Sequence, residues 1–362
     1  MTIPASLSAS LIAEILATHF DPHAGTPYWL ERERQLGLEA RREITCCEAF
    51  HLFGPMDTEA LRTRPLLDFI PRRFHGELAT MILAETGGTT GPPIRRVYRP
   101  EEFGAAFVDS WKRAADLRGF PRGGSWLFVG PSGPHVIGQS ARAMARSLGS
   151  CEPFSVDCDV RWIKRQGAGS LGFTLYFDHV LDQAMNVIRT QKIEVLLITP
   201  PLLLALAARM SEEELNRIRG IHLAGMALTV ADSETIRHRL FPQAVVLPGY
   251  GNSLVGVLFE HTPPGPGQPP TYVVDDPALW FQLVPWQPQA PEQNPDLAAA
   301  TLKPGQRGRV VAHRLDPSFL LLNLVERDTA CYAEPTDKGD SRAVTAVEPI
   351  RPMISSKSEG VY

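Results

Sequence analysis

No C-x-x-C pair occurs among the five cysteines, Cys46, Cys47, Cys151, Cys158 and Cys331. An odd number without paired spacing argues against a disulfide framework or a zinc knuckle, and predicts reduced, mostly structural thiols. An excess of one charge is missing too. Charged residues make up 21% of the 362, the formal net charge is −4, and no basic cluster stands out. A grip on nucleic-acid phosphate or on a membrane surface is therefore not expected. Long apolar runs are also lacking. The most apolar stretch, 195–208, is too short to cross a bilayer and contains Pro200 and Pro201. The N-terminus has no basic opening followed by an unbroken apolar run. Leu11, Ile12, Ile15, Leu16 and Phe20 instead recur at helical spacing, which predicts a surface helix and a cytoplasmic protein. No Gly-x-x-x-x-Gly-Lys is present, which excludes a Walker-type nucleotide loop.

What the chain does have is a 44% hydrophobic composition, enough for a large core. Residues 1–80 read as mostly helical, with 29–42 rich in Glu, Arg and Leu. Buried strands are predicted at 125–130, 194–199, 220–224 and 244–247. Helices are predicted at 101–118, 136–148, 177–190, 202–209, 211–219 and 231–240, with Ser211 and Glu214 spaced as a capping box. Strand and helix alternate over 81–260, which argues for an α/β core with parallel neighbours. From 261 to 333 the texture changes to Pro/Gly-rich loops and short β-like runs at 272–274, 280–284, 308–313 and 319–324. These predict a small, mostly antiparallel subdomain. Residues 334–362 have few apolar side chains and read as a docked tail.

The most informative octapeptide is Thr86-Gly87-Gly88-Thr89-Thr90-Gly91-Pro92-Pro93. Glycines let backbone amides approach an anion, and the threonine hydroxyls add donors suited to phosphate oxygens. As composition alone, such a stretch is equally an ordinary turn. In this order the residues resemble the Ser/Thr-Ser/Gly-Gly-Thr-Thr-Gly-x-Pro loop of the adenylate-forming (ANL) enzymes, which closes over the pyrophosphate end of ATP. Pro92 stands where that pattern commonly has Lys or Arg, and the basic stretch Arg95, Arg96, Arg99 is a substitute source of positive charge.

Further segments follow in the family's order. Thr199-Pro200-Pro201 is similar to its Thr-Pro-Ser segment, and Gly225-Met226 to the strand end whose backbone borders adenine. Gly249-Tyr250-Gly251-Asn252-Ser253 resembles the Tyr-Gly-x-Ser/Thr-Glu motif. The resemblance implies that Tyr250 stacks on adenine and that Ser253 approaches the α-phosphate. Leu254 occupies the place of the Glu that helps to hold Mg2+, which weakens the expectation of that ion because leucine offers no hard oxygen. Asp328, in a segment similar to the family's Arg-x-x-Asp/Thr-Gly-Asp end, is the implied ligand of the ribose hydroxyls. His135 follows the turn that lines the acid pocket in the family; it either senses a carboxylate, stacks on an aromatic acid, or is a helix-start residue. Gly167 to Gly172 matches Gly-x-Gly-x-x-Gly in spacing only and is read as a loop.

The resemblance is closest to the phenylacetate–coenzyme A ligase and acyl-protein synthetase branches. It implies the fold of the large N-terminal domain of adenylate-forming enzymes, α/β with mostly parallel sheets flanked by helices, plus a small β subdomain. In that frame 81–260 is the nucleotide-binding core, and the small C-terminal lid is expected to be missing. Cys331 is expected to be structural rather than an acyl carrier. The implied function is ATP-dependent activation of an aryl or acyl carboxylic acid to an acyl-adenylate. Transfer then goes to coenzyme A, a carrier protein thiol or an amine, with catalytic assignments to Ser253, Thr89 and His135. The phosphate, adenine and ribose contacts fall to Thr86, Gly87, Gly88, Thr89, Thr90, Gly91, Gly225, Met226, Gly249, Tyr250, Gly251, Asn252, Ser253 and Asp328. A lidless acyltransferase acting on a preformed acyl-adenylate, and a nucleotide- or acyl-binding partner subunit, are the alternative functions.

Overall fold

Strands that carry helices on both faces need consecutive apolar side chains, and 126–129 and 195–198 have them. The computed structural model describes residues 7–86, 92–133, 135–167, 169–289, 293–300, 302–334 and 343–349. In chain order the strands are β1 (Ile82–Glu85), β2 (Arg95–Tyr98), β3 (Ser125–Gly130), β4 (Phe154–Asp157), β5 (Ile193–Ile198), β6 (Gly220–Leu223) and β7 (Val245–Asn252). They continue with β8 (Gly256–Glu260), β9 (Thr271–Val273), β10 (Leu279–Pro285), β11 (Arg307–Leu315), β12 (Leu320–Tyr332) and β13 (Ala343–Pro349). The chain divides into two units.

The α/β unit takes the described residues of Glu85–Pro93 and Ala106–Tyr272. Its strands run in the order β8-β7-β6-β5-β3-β4. β4, β3, β5, β6 and β7 are parallel, with Leu127 opposite both Phe154 and Leu196, Leu196 opposite Ile221, and Ile221 opposite Val246. β8 returns antiparallel to β7 as a hairpin. Successive side chains of β3 and β5 point to opposite faces, as a period of two requires. Leu127, Val129, Leu196 and Ile198 pack with the helices Leu171–Thr190 and Pro200–Ala207. Trp126, Phe128, Val195 and Leu197 pack with the helices Ser110–Arg118 and Val136–Ser147. Each such side chain, fully buried, contributes on the order of 2 kcal/mol.

Polar groups inside this unit are tied down. His222 is buried on β6; its Nδ1 lies 2.8 Å from the carbonyl oxygen of Leu247, and Trp111 lies against its ring at 4.9 Å. Burial drives its pKa down to about 4, so it stays a neutral imidazole. Glu260, fully buried at the end of β8, is held between Arg118 and Arg237. An unpaired carboxylate there would be costly, and two guanidinium groups offset the cost.

The second unit takes the described residues of Met1–Ala84, Ile94–Ala105 and Val273–Pro352. Its antiparallel sheet runs β10-β11-β12-β13, with Phe281 opposite Ala312, Ala312 opposite Leu324, and Cys331 opposite Thr345. N-terminal helices close one side of it. Trp29 Nε1 donates to the carbonyl oxygen of Leu320 at 3.1 Å, and Asn323 Nδ2 donates to the carbonyl oxygens of Phe50 and Gly54. A buried charge network ties its separate stretches of chain together. Arg314 meets Asp276 at 2.7 Å and Asp316 at 2.6 Å, and Arg96 meets Asp316 at 2.6 Å while stacking over Tyr98.

The alternation read from the sequence holds over 125–252, with differences of detail. The stretch 29–42 is not one helix: Pro27–Leu36 ends at Gly37, and a short turn follows at Ala40–Glu43. The expected helices at 101–118 and 231–240 each carry a π-turn, at Gly104–Asp109 and Thr235–Leu240. Short strands β4 and β8 and the helix Val160–Gln166 were not anticipated. β13 comes from the stretch read as a tail. All five cysteines are free, Cys331 is buried on β12, and Cys46 and Cys151 are exposed. Among the described residues no helix is long and apolar enough to cross a membrane.

Candidate nucleotide and acid site

Parallel strands end on one edge, and in the α/β unit that edge gathers several of the residues singled out in the sequence. Gly130 pairs with Asp157, Ile198 with Leu223, and Leu223 with Pro248, so the carboxyl ends of β3 to β7 are aligned. The order β4-β3-β5 reverses direction between β3 and β5, and ligands of open α/β sheets bind beside such a reversal, outside the carboxyl ends. Gly225 and Met226 leave β6 on this edge, and Gly249 and Tyr250 follow Pro248 on β7. The strand β7 runs further than the sequence predicted, so Tyr250 sits on the strand itself.

The hairpin from β7 to β8 is shaped by close approaches. Gly251 and Gly256 have φ of +150° and +95°, a region that other residues rarely adopt. A Cβ at Gly251 would collide with the carbonyl oxygen of Gly256, and one at Gly256 would lie 2.8 Å from that of Ala106. Asn252 Oδ1 accepts the N–H groups of Leu254 (2.8 Å) and Val255 (3.2 Å), which folds the turn back on itself. Ser253 is half-buried in this turn. The ring of Tyr250 is half-buried, 5.6 Å from that of Tyr272. Leu254 is only 4% exposed and belongs to the core.

A second cluster lies where Glu85 meets the turn that leaves β3. Glu85 and His135 form a parallel bridge, which brings the half-buried Thr86 to the same edge. His135 is buried at the N-cap of the helix Val136–Ser147, where its side chain makes no capping bond. Its pKa is lowered, by burial first and then by the charge of Arg161. The guanidinium of Arg161 forms an ion pair with the Glu85 carboxylate. Asp157 Oδ1 accepts the N–H of Ser132 at 2.8 Å, and Asp159 caps the helix Val160–Gln166. Gly87, Gly88, Thr89, Thr90 and Gly91 lie outside the described residues.

Asp328 belongs to the second unit, where it sits within β12 opposite Pro349, half-buried. The arginines of the basic stretch after the Gly/Thr segment differ, and Arg95 is exposed on β2. Arg96 is fully buried against Asp316, and Arg99 pairs with Glu77 and Glu101. For Arg96 the expectation of a free charge is corrected, because burying a guanidinium requires an acid partner, and Asp316 is that partner. Of the stretch read as a loop, Gly167, Gly169 and Ser170 lie outside the helices, whereas Leu171 and Gly172 belong to the helix Leu171–Thr190. One edge residue escaped the sequence reading: Arg161 carries no motif of its own. The hydroxyl of Thr199, in the Thr-Pro segment already noted in the sequence, is buried without a hydrogen-bond partner after β5. Among the described residues no group of three or more His, Cys, Asp or Glu could hold a metal ion.

No family model matches the sequence, and no curated protein matches it. Solved structures do. 2-Hydroxyisobutyryl-CoA ligase in its postadenylation state, in complex with 2-HIB-AMP, aligns with a TM-score of 0.66 at 15% identity, over 93% of this chain and 65% of that chain. An open conformation of that ligase with 2-HIB-AMP and CoA aligns with a TM-score of 0.65 at 16% identity, over 98% of this chain and 76% of that chain. The thioesterification state gives 0.60 at 14% identity. The chain thus spans just under two thirds of the first ligase structure and shares its fold, which is the fold the resemblance implied.

Proposed function

We propose, starting from the shared fold, that the chain is an adenylate-forming acid ligase. One observation supports this above the rest. The Gly225-Met226 turn, the Tyr250 to Ser253 hairpin and the Glu85-Thr86/His135 bridge all belong to one carboxyl edge of a single parallel sheet. In this reading a carboxylate oxygen of the acid attacks the α-phosphorus of ATP, pyrophosphate leaves, and the acyl group passes from AMP to a thiol or amine. Tyr250 offers a ring face to adenine, and the backbone at Gly225 and Met226 borders it. The Ser253 hydroxyl donates toward the α-phosphate. Thr86 and the segment Gly87 to Gly91 donate to the departing phosphates, and His135, neutral, hydrogen-bonds the acid. Asp328 is assigned to the ribose hydroxyls on the resemblance alone. Such a reaction is carried mainly by positioning and by neutralising phosphate charge.

The residues do not fit a Mg2+ ligand where the family motif has Glu. Leu254 is apolar and buried, so charge neutralisation falls to hydrogen-bond donors and cationic side chains. An aryl or medium-chain acid, with coenzyme A as acceptor, is the reading that the branch resembled favours. ATP–pyrophosphate exchange over a panel of aryl, branched and fatty acids tests it. Exchange with one acid class is the expected result. Silence across the panel, with turnover of synthetic acyl-AMP and CoA, would leave transfer without adenylation; silence in both would end the reading.

A further inference from the structure

We infer that Arg161 is a substrate-facing cation of this site, one that binds the pyrophosphate end of the nucleotide. The inference rests on the nucleotide reading above and adds to it a residue that no motif supplies. The Gly/Thr segment lacks its customary cation, since Pro92 stands in that place. Arg96 is buried against an acid, Arg99 pairs with acids at the surface, and the exposed Arg95 belongs to the second unit. With Leu254 in the metal-ligand position, phosphate charge near Thr86 needs another source of compensation.

Arg161 meets the need by geometry. Its guanidinium touches the carboxylate of Glu85, the residue directly before Thr86. Glu85 is a nearly buried anchor, its side chain 6% exposed, whereas the Arg161 side chain keeps 40% of its surface. A guanidinium has five N–H donors in a planar fork, and the contact with Glu85 engages a single nitrogen. The remaining donors suit two phosphate oxygens at once. The backbone is equally fixed. Asp159 Oδ1 accepts the N–H of Arg161 at 2.9 Å and of Trp162 at 3.2 Å, and the N–H of Asp159 donates to the hydroxyl of Tyr176 at 2.7 Å. Arg161 is therefore held in place at its base and at its tip. Of the nearby acids, Glu85 is the one in ion-pair contact with Arg161, while the carboxylates of Asp157 and Asp159 accept backbone N–H groups and keep their charge.

Calorimetric titration of pyrophosphate, ATP and AMP into wild type, Arg161→Ala, Arg161→Lys and Glu85→Gln tests the inference. Kinetics of exchange on the same proteins split KM from kcat. Expected for Arg161→Ala is at least a tenfold loss of affinity for pyrophosphate and ATP, with AMP binding within twofold of wild type. The KM for pyrophosphate should rise by a similar factor while kcat changes less. Arg161→Lys should recover part of the loss, as a point charge without the fork. Glu85→Gln, which frees the guanidinium from its acid, should bind pyrophosphate as well as wild type or better. Three results would overturn the inference: unchanged pyrophosphate affinity in Arg161→Ala, a loss in Glu85→Gln equal to that in Arg161→Ala, or an effect confined to the KM of the acid. Failure of wild type to bind AMP would show separately that the nucleotide reading itself is wrong, and Arg161 would fall with it.

Discussion

Two residues of the hairpin decide how much of its motif survives as chemistry. Leu254 is a core side chain, so a carboxylate placed there loses water without gaining a partner. Leu254→Glu is expected to cost roughly 3 kcal/mol in urea denaturation, and Mg2+ with ATP should leave that loss in place. A Mg2+-dependent recovery would mean that the side chain can turn toward the nucleotide. Tyr250→Ala should weaken AMP binding about tenfold by calorimetry, because stacking on a base is worth about 1–3 kcal/mol; Tyr250→Phe should bind nearly as wild type. Tyr250 was legible in the sequence because its neighbours Gly251 and Ser253 carry the pattern with it. Arg161 was not legible. Its meaning depends on Glu85, 76 residues away in the chain, and a pairing of that range leaves no local trace.

Among the strands and helices, legibility followed burial. β3 and β5 are buried almost throughout, so they read as nearly continuous apolar runs, interrupted only at Ser125 and Glu194. β4 shows one buried residue in four and gives no such run. β13 is hidden for a similar reason, as its outer half is partly exposed and ends in Glu348 and Pro349. Caps were readable because their chemistry is local. Ser211 Oγ accepts the N–H of Glu214 at 3.2 Å, and the Glu214 carboxylate accepts the N–H of Ser211 at 2.7 Å. Ser211→Ala is expected to cost about 1 kcal/mol, and Ser211→Gly less, measured by thermal melting. The tie between β8 and its neighbouring helices is a different matter, since no pattern announces it. Glu260→Gln leaves Arg118 and Arg237 facing each other without the carboxylate and should cost about 3 kcal/mol in the same assay.

Acid stability belongs to the fold in its entirety and follows from buried imidazoles. His19 and His222 have pKa values lowered to about 4 and His313 to about 3, burial being the first cause in each. An unfolded histidine takes up a proton near pH 6.5, and the folded one resists until far lower. The unfolded state therefore binds more protons between these values, and stability falls as the pH drops from 6.5 toward about 4. Each imidazole accounts for about 3 kcal/mol over that window, because a tenfold change in a protonation equilibrium is worth about 1.4 kcal/mol. Burial raises Glu102 and Glu260, which act in the opposite sense. Urea midpoints at pH 7, 5.5 and 4 should decline, and His222→Phe should decline less steeply, by about one proton. The α/β layering was visible in the sequence because it repeats; the composition of each unit was not, because the second draws on three separated stretches of chain.

The glycines of the β7–β8 hairpin also limit how this part of the protein can diversify. A methyl group at Gly249 would lie 2.7 Å from the side chain of Val257, and Gly251 and Gly256 have no room for one either. Asn252 is spent on the turn, and Leu254 and Val255 on the core. A random library, or neutral drift, that changes Gly249, Gly251, Asn252 or Gly256 must therefore first break the hairpin.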